Sequence, residues 1–283
     1  MATKIHAWHD VEPDQFEPGL VDEDQAYRHV LDFIMADWDV KLNIGLSDSW
    51  AVDLHVPIRL SRGEAEFQDM NGQSLPEFTS IHHRDETLIG LADASVVGRH
   101  RIEVSSETMV WRLDLSAGVS LPTGGTEPNP FELGRNGQEH QHLFFGTGTV
   151  NPILGIESAI ARSTYSIFGW SSWKTALYEN KHGYKGPGQW GGGLGVDSML
   201  GSQRWGFQIG SEFFHEVPAT WSGEVAKNSG RTDLIGVIRT RFMPSTSWTH
   251  ILTVKVPRTL RVEGGQMTMP VLIGFDINRQ FDL

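Results

Sequence analysis

The chain has 283 residues, no cysteine and a formal net charge of −12. That excludes disulfides, thiolate metal sites and thiol catalysis, and it argues against nucleic acid as a partner. Mean hydropathy is −0.27 and no apolar run approaches the ~18 residues of a spanning helix, so a helical membrane protein is excluded too.

Residues 1–25 are acidic, contain proline and show no strand pattern. They read as an irregular N-terminal segment, lying in the lumen of a barrel or hiding a first strand; residues 26–283 read as the barrel itself. The opening Met1–Asp10 lacks the apolar stretch of a secretory signal. The expectation is that one was removed.

Strands are predicted at 27–46, 50–66, 86–103, 109–122, 142–162, 165–178, 189–200, 204–217, 232–243, 248–262 and 266–282. Five of these carry strict alternation. Trp50, Val52, Leu54, Val56, Ile58 and Leu60 alternate with Asp53, His55 and Arg59. Residues 109–121, 205–213, 252–262 and 267–281 repeat the pattern. A strand has period two, so one face is apolar and the other charged. A soluble sandwich or barrel can show the same alternation. Eleven strands is an odd count, whereas bacterial transmembrane barrels have even numbers. The fold class expected is all-β, a transmembrane antiparallel up-and-down barrel of about twelve strands: either a twelfth hides in residues 1–25, or 27–46 is mis-segmented, or the N-terminal segment threads back through the lumen.

Short turns alternate with long loops. The long ones are Gly63–Glu86, Thr123–Gln141, Glu179–Gly188 and about Glu216–Arg231. Four short turns are followed within three residues by a tryptophan on the apolar face: Trp50, Trp111, Trp205 and Trp248. Transmembrane barrels carry such rings at the lipid–water boundary, so these four are the expected membrane girdle. The competing reading is that tryptophan is merely a good strand residue.

The opposite face would line the lumen. The alternation places Asp53, His55, Arg59, Asp93, Arg99, Arg112, Asp114, Glu157, Asp197, Glu212, Arg239, Arg241, Lys255 and Asp276 there. Acids and bases are nearly balanced across a narrow bore. They form either charged selectivity rings or an ion-pair network that plugs the barrel. Likewise Val254 should face lipid and Thr253 the lumen, so arginine should be tolerated at 253 and not at 254.

No catalytic set is recognisable: His100 with Ser105 and Ser106, and His250 after Ser247, lack a third member. Gly191–Gly195 is no phosphate loop, because no Lys-Ser/Thr follows. No cofactor is expected. The histidines bunch in the long loops, and His82, His83, His140 and His142 are weak candidates for a transition metal. Solvated loop histidines are the preferred reading, so no metal site is assigned.

Several stretches carry a family resemblance. Gly45-Leu46-Ser47-Asp48-Ser49-Trp50 with Val56-Pro57, Gly90-Leu91-Ala92-Asp93-Ala94, Val119-Ser120-Leu121-Pro122-Thr123-Gly124 and His140–Gly155 (ending Gly146-Thr147-Gly148-Thr149-Val150-Asn151-Pro152-Ile153-Leu154-Gly155) occur in this order. Together they resemble the outer-membrane barrel transporter family of the meta-pathway phenol-degradation type, over about residues 40–283. Ala92 stands where that family often has glycine. The resemblance implies an outer-membrane location, a lipid bilayer and a small molecule as partners, and passage of hydrophobic or aromatic compounds. A closed structural or partner-binding barrel is the alternative.

Overall fold

The computed structural model describes residues 1–11, 26–76, 85–138, 140, 143–200, 204–226, 229–262 and 266–281. Its elements are β1 (Ala2–Val11), β2 (Tyr27–Gly45), β3 (Trp50–Asp69), β4 (Glu86–Leu91), β5 (Ser95–Ser105), β6 (Val110–Ser120), α1 (Pro130–Arg135), β7 (Asn151–Arg162), β8 (Tyr165–Lys174), β9 (Tyr184–Lys185), β10 (Gln189–Leu200), β11 (Trp205–Glu216), β12 (Thr220–Trp221), β13 (Glu224–Val225), β14 (Arg231–Phe242), β15 (Trp248–Val262), β16 (Gln266–Thr268) and β17 (Leu272–Arg279).

Nearest-neighbour antiparallel pairing runs β2, β3, β5, β6, β7, β8, β10, β11, β14, β15, β17, and β1 closes the ring by pairing with β2, β16 and β17. β4 and β5 share one stave against β3, and β16 and β17 share another. The result is a closed barrel of twelve staves. The first is Ala2–Val11, inside the segment where the sequence shows no alternation. Ten of its residues pair with β2, from Ala2 opposite Ala36 to Val11 opposite Tyr27.

Three sequence expectations shift. Gly63–Asp69 continues β3, where a loop was expected, because β2 is long enough to pair with it as far as Asp69. Residues 143–150 are loop, and β7 starts only at Asn151. The last predicted strand breaks at 269–271, where Pro270 has no N–H for a ladder.

Alternation sorts the side chains by face. Ile209, Leu194, Phe275, Ile167 and Ile238 are each more than half exposed, on the outer face. Burial concentrates elsewhere. On the long-loop side, β9, β12 and β13 form a small separate sheet. There Tyr184, Ala219, Trp221 and Ala226 pack with Phe131 and Phe144. Burial pushes the Tyr184 hydroxyl well above its usual pKa. A polar knot ties these loops to the barrel. Asp93 accepts from Thr147 N (2.8 Å), Thr147 Oγ1 (2.7 Å) and Gly124 N (3.1 Å). Asn180 Nδ2 donates to Thr147 O at 3.0 Å.

Two places in the wall lack a neighbouring strand among the described residues. β1 starts level with Ala36 and Ile273, where the Met1 ammonium donates to Asp37 O at 2.5 Å. From there to the short-turn end, β2 and β17 do not pair with each other. The second place concerns β15. It pairs with β17 only as far as Lys255 opposite Leu272, and beyond that, among the described residues, no strand is paired with this edge.

Candidate functional site: the lumen and the opening in its wall

The charged face is concave. Lys255 Nζ reaches Glu212 Oε2 at 2.5 Å, passing over β14. Arg241 Nη2 reaches Asp197 Oδ1 at 2.9 Å, passing over β11. Side chains two strands apart converge only on the inside of a curved sheet. Pairs between adjacent strands continue the network: Arg59 with Asp37 (2.7 and 3.0 Å), Arg101 with Asp114 (2.8 and 2.8 Å), Arg99 with Asp53 (3.4 Å) and Arg239 with Glu212 (3.4 Å). His55 joins Asp39 at 2.7 Å, and Arg112 joins Glu103 at 2.8 Å near the short-turn rim.

The residues expected in the lumen thus divide. Asp53, Arg59, Arg99, Arg112, Asp114, Asp197, Glu212, Arg239, Arg241 and Lys255 are all in ion pairs, and His55 is hydrogen-bonded to Asp39. Glu157 stands opposite Asp114 in register. Asp93, also expected in the lumen, accepts the hydrogen bonds of the loop knot. Asp276 is exposed, on the strand beside the unpaired seam below Met1. Thr253 is another correction. It is 2 % exposed, so it offers no room for an arginine although its inward facing was read correctly.

Not all of the inner wall is charged. Phe168 and Trp170 point inward from β8 and lie against the glycines of β10. A Cβ at Gly193 would stand 2.8 Å from Trp170 Nε1, and one at Gly195 2.7 Å from Phe168 Cζ. The glycine run therefore makes room for two rings laid flat on the wall.

Trp50, Trp205 and Trp248 are the first residues of their strands and Trp111 the second of its own. All four point outward by parity, and Trp111 donates to Ser158 Oγ at 3.0 Å. A second outward set was not anticipated. Trp173 and Trp190 are cross-strand partners at the long-loop ends of β8 and β10, with Phe213 5.4 Å from Trp190. Trp190 lies ten residues from Leu200, the short-turn end of its strand. At ~3.4 Å per residue and ~40° tilt that is about 26 Å of height, close to the ~25 Å apolar band of a membrane barrel. The signal was present: these rings flank a long loop as the other four flank short turns.

Of the candidate metal ligands, His82, His83 and His142 lie outside the described residues. His140 is buried, with Nδ1 2.8 Å from Gln138 O. The described residues hold no cluster of three metal-binding side chains.

The β15 edge beyond Lys255 borders, among the described residues, a cavity of about 790 Å³, within the usual size range of small-molecule sites. Its inner rim includes Pro257, Met267 and Met269, and its outer rim Lys4, His6, Asp32, Arg258 and Leu260. Inward- and outward-facing residues both line this cavity, which lies among the described residues between β15, β16 and β1. Pro257 and Pro270, both without an N–H, flank the break. β1 takes over from β15 in holding the detached segment, with Thr3 Oγ1 donating to Val271 O at 2.8 Å. Arg258 lies ten residues above Trp248 along β15, again about 26 Å in height. The opening therefore sits at the upper edge of the apolar band.

No family model matches the sequence, and no curated protein matches it. A solved structure does: the crystal structure of the COG4313 outer membrane channel from Pseudomonas putida F1. It is 10% identical with a TM-score of 0.55, and the match covers 98% of this chain and 94% of that one. At that identity the likeness establishes the barrel fold.

Proposed function

We propose that the chain is an outer-membrane barrel that passes small hydrophobic or aromatic molecules. One observation carries this reading: ion pairs line the inner wall from stave to stave, while a cavity interrupts the wall where the apolar band ends. A polar solute needs an open bore. A lipid-soluble one needs only a way from the band into the lumen, where Phe168, Trp170, Met267 and Met269 offer apolar surface. The fold likeness to an outer membrane channel supports the location, as do the two aromatic belts. The motif resemblance to the phenol-degradation transporters supports aromatic compounds as cargo.

The test uses planar bilayers and vesicles with a lipopolysaccharide outer leaflet. Ion conductance should be low, and the protein should speed delivery of a nonpolar fluorophore such as N-phenyl-1-naphthylamine. High conductance with no effect on the fluorophore contradicts the reading. The clasped lumen favours one other reading, a closed barrel that presents its packed loops; no conductance and no delivery would select it.

A further inference from the structure

We propose that the outer rim of the wall opening is a binding site for the anionic head group of an amphiphile, a carboxylate or phosphate on a long apolar tail. The site rests on the reading of a barrel in a bilayer, but it is tested by binding and not by flux, so the two fail separately.

The charges on the rim are unbalanced. Lys4 Nζ lies 3.4 Å from Asp32 and His6 Nδ1 2.8 Å from the same carboxylate. Asp32 is thus shared by two basic side chains. Arg258, on the same cavity, is exposed and has no ion pair among the described residues. A free guanidinium presents a planar fork of donors that matches a carboxylate or phosphate.

The height is also specific. Arg258 stands where the apolar band ends, level in register with the outward Leu234. Lys4 is opposite the outward Ile34. Val256 and Leu260, on either side of Arg258 along the strand, are each more than half exposed on the outer face. A head group held by Arg258 and Lys4 would keep its tail in the apolar band and against Val256. Two sources share this chemistry: a free fatty acid, or the phosphate of a resident lipid A.

The experiment measures binding of a fluorescent long-chain fatty acid and the fatty alcohol of equal length to the protein in neutral-lipid nanodiscs. The acid should bind about tenfold more tightly. Lys4→Gln with Arg258→Gln should abolish that preference and leave alcohol binding and the heat-modifiable gel shift of the folded barrel intact. Arg258→Glu should turn the preference toward a fatty amine. Equal affinity of the native protein for acid and alcohol, or a preference that survives both variants, would overturn the proposal. Lipid A added to the nanodisc identifies the source. Displacement of the acid marks the resident phosphate as occupant, and retention marks the free amphiphile; both outcomes support the anionic site.

Discussion

Lys255 and Glu212 meet across an intervening strand: the ammonium on β15 passes over β14 to a carboxylate on β11, at 2.5 Å. Arg239 holds the other oxygen of Glu212 at 3.4 Å. The carboxylate therefore clamps three consecutive staves. Glu212→Gln leaves two cations without their partner. It should cost about 1.5–3 kcal/mol, the range of hydrogen bonds to charged groups. Lys255→Met alone should cost less, because Arg239 remains. A double-mutant cycle on unfolding in urea should give a coupling of about 1 kcal/mol or more between the two sites. Additive effects would mean that the clasp contributes nothing.

Facing can be tested on adjacent residues of β11. Ile209 is 66% exposed on the outer face, and Gln208 next to it points inward beside Arg239. Ile209→Arg should lose about 2–4 kcal/mol in a bilayer. Gln208→Arg should cost distinctly less, although it adds a cation to a basic neighbourhood. Equal losses in lipid-refolding titrations would reverse the assignment of faces.

The two aromatic belts predict depth. Fluorescence of Trp190 and Trp205, each kept in turn as the sole tryptophan, should be quenched most by lipids brominated near the head group. A tryptophan replacing Leu194, midway along β10 and 66% exposed, should be quenched most by lipids brominated near the chain ends. A single depth for all three would remove the belts.

Tyr184 gives a pH dependence to the loop-side sheet. Its burial raises its pKa above the ordinary value. The stabilisation that follows is complete below the unfolded tyrosine pKa of about 10 and is lost as pH rises through the folded value. Spectrophotometric titration should show a late-ionising tyrosine, and Tyr184→Phe should remove that step. If the variant loses an ordinary step near pH 10, Tyr184 is not buried in solution.

Much of this architecture is legible in the chain, for a local reason. Alternation fixes which face a strand residue takes, and turn residues fix where strands end, so the facing of Trp50 or Lys255 is readable from neighbours a few residues away. What escapes is set by partners distant in sequence. β1 shows no alternation because Lys4, His6 and Asp10 occupy its outward positions, pairing with Asp32 and Arg28 of β2 above the apolar band. Asp93 looks like a lumen charge until the loop from Gly124 to Thr147 folds back onto it. The wall opening is announced only by Pro257 and Pro270, and a proline alone does not say which side of a strand is left free.

The central claim is that lipid-soluble molecules use the opening beside β15, and one comparison tests it most directly. Leu260→Trp with Thr268→Trp places two large rings on the rim and leaves the lumen ion pairs untouched. Delivery of N-phenyl-1-naphthylamine across a lipopolysaccharide leaflet should then fall to the rate of protein-free vesicles, while the small ion conductance stays at its native value. Delivery that persists in this variant, or that tracks the conductance instead, would contradict the account.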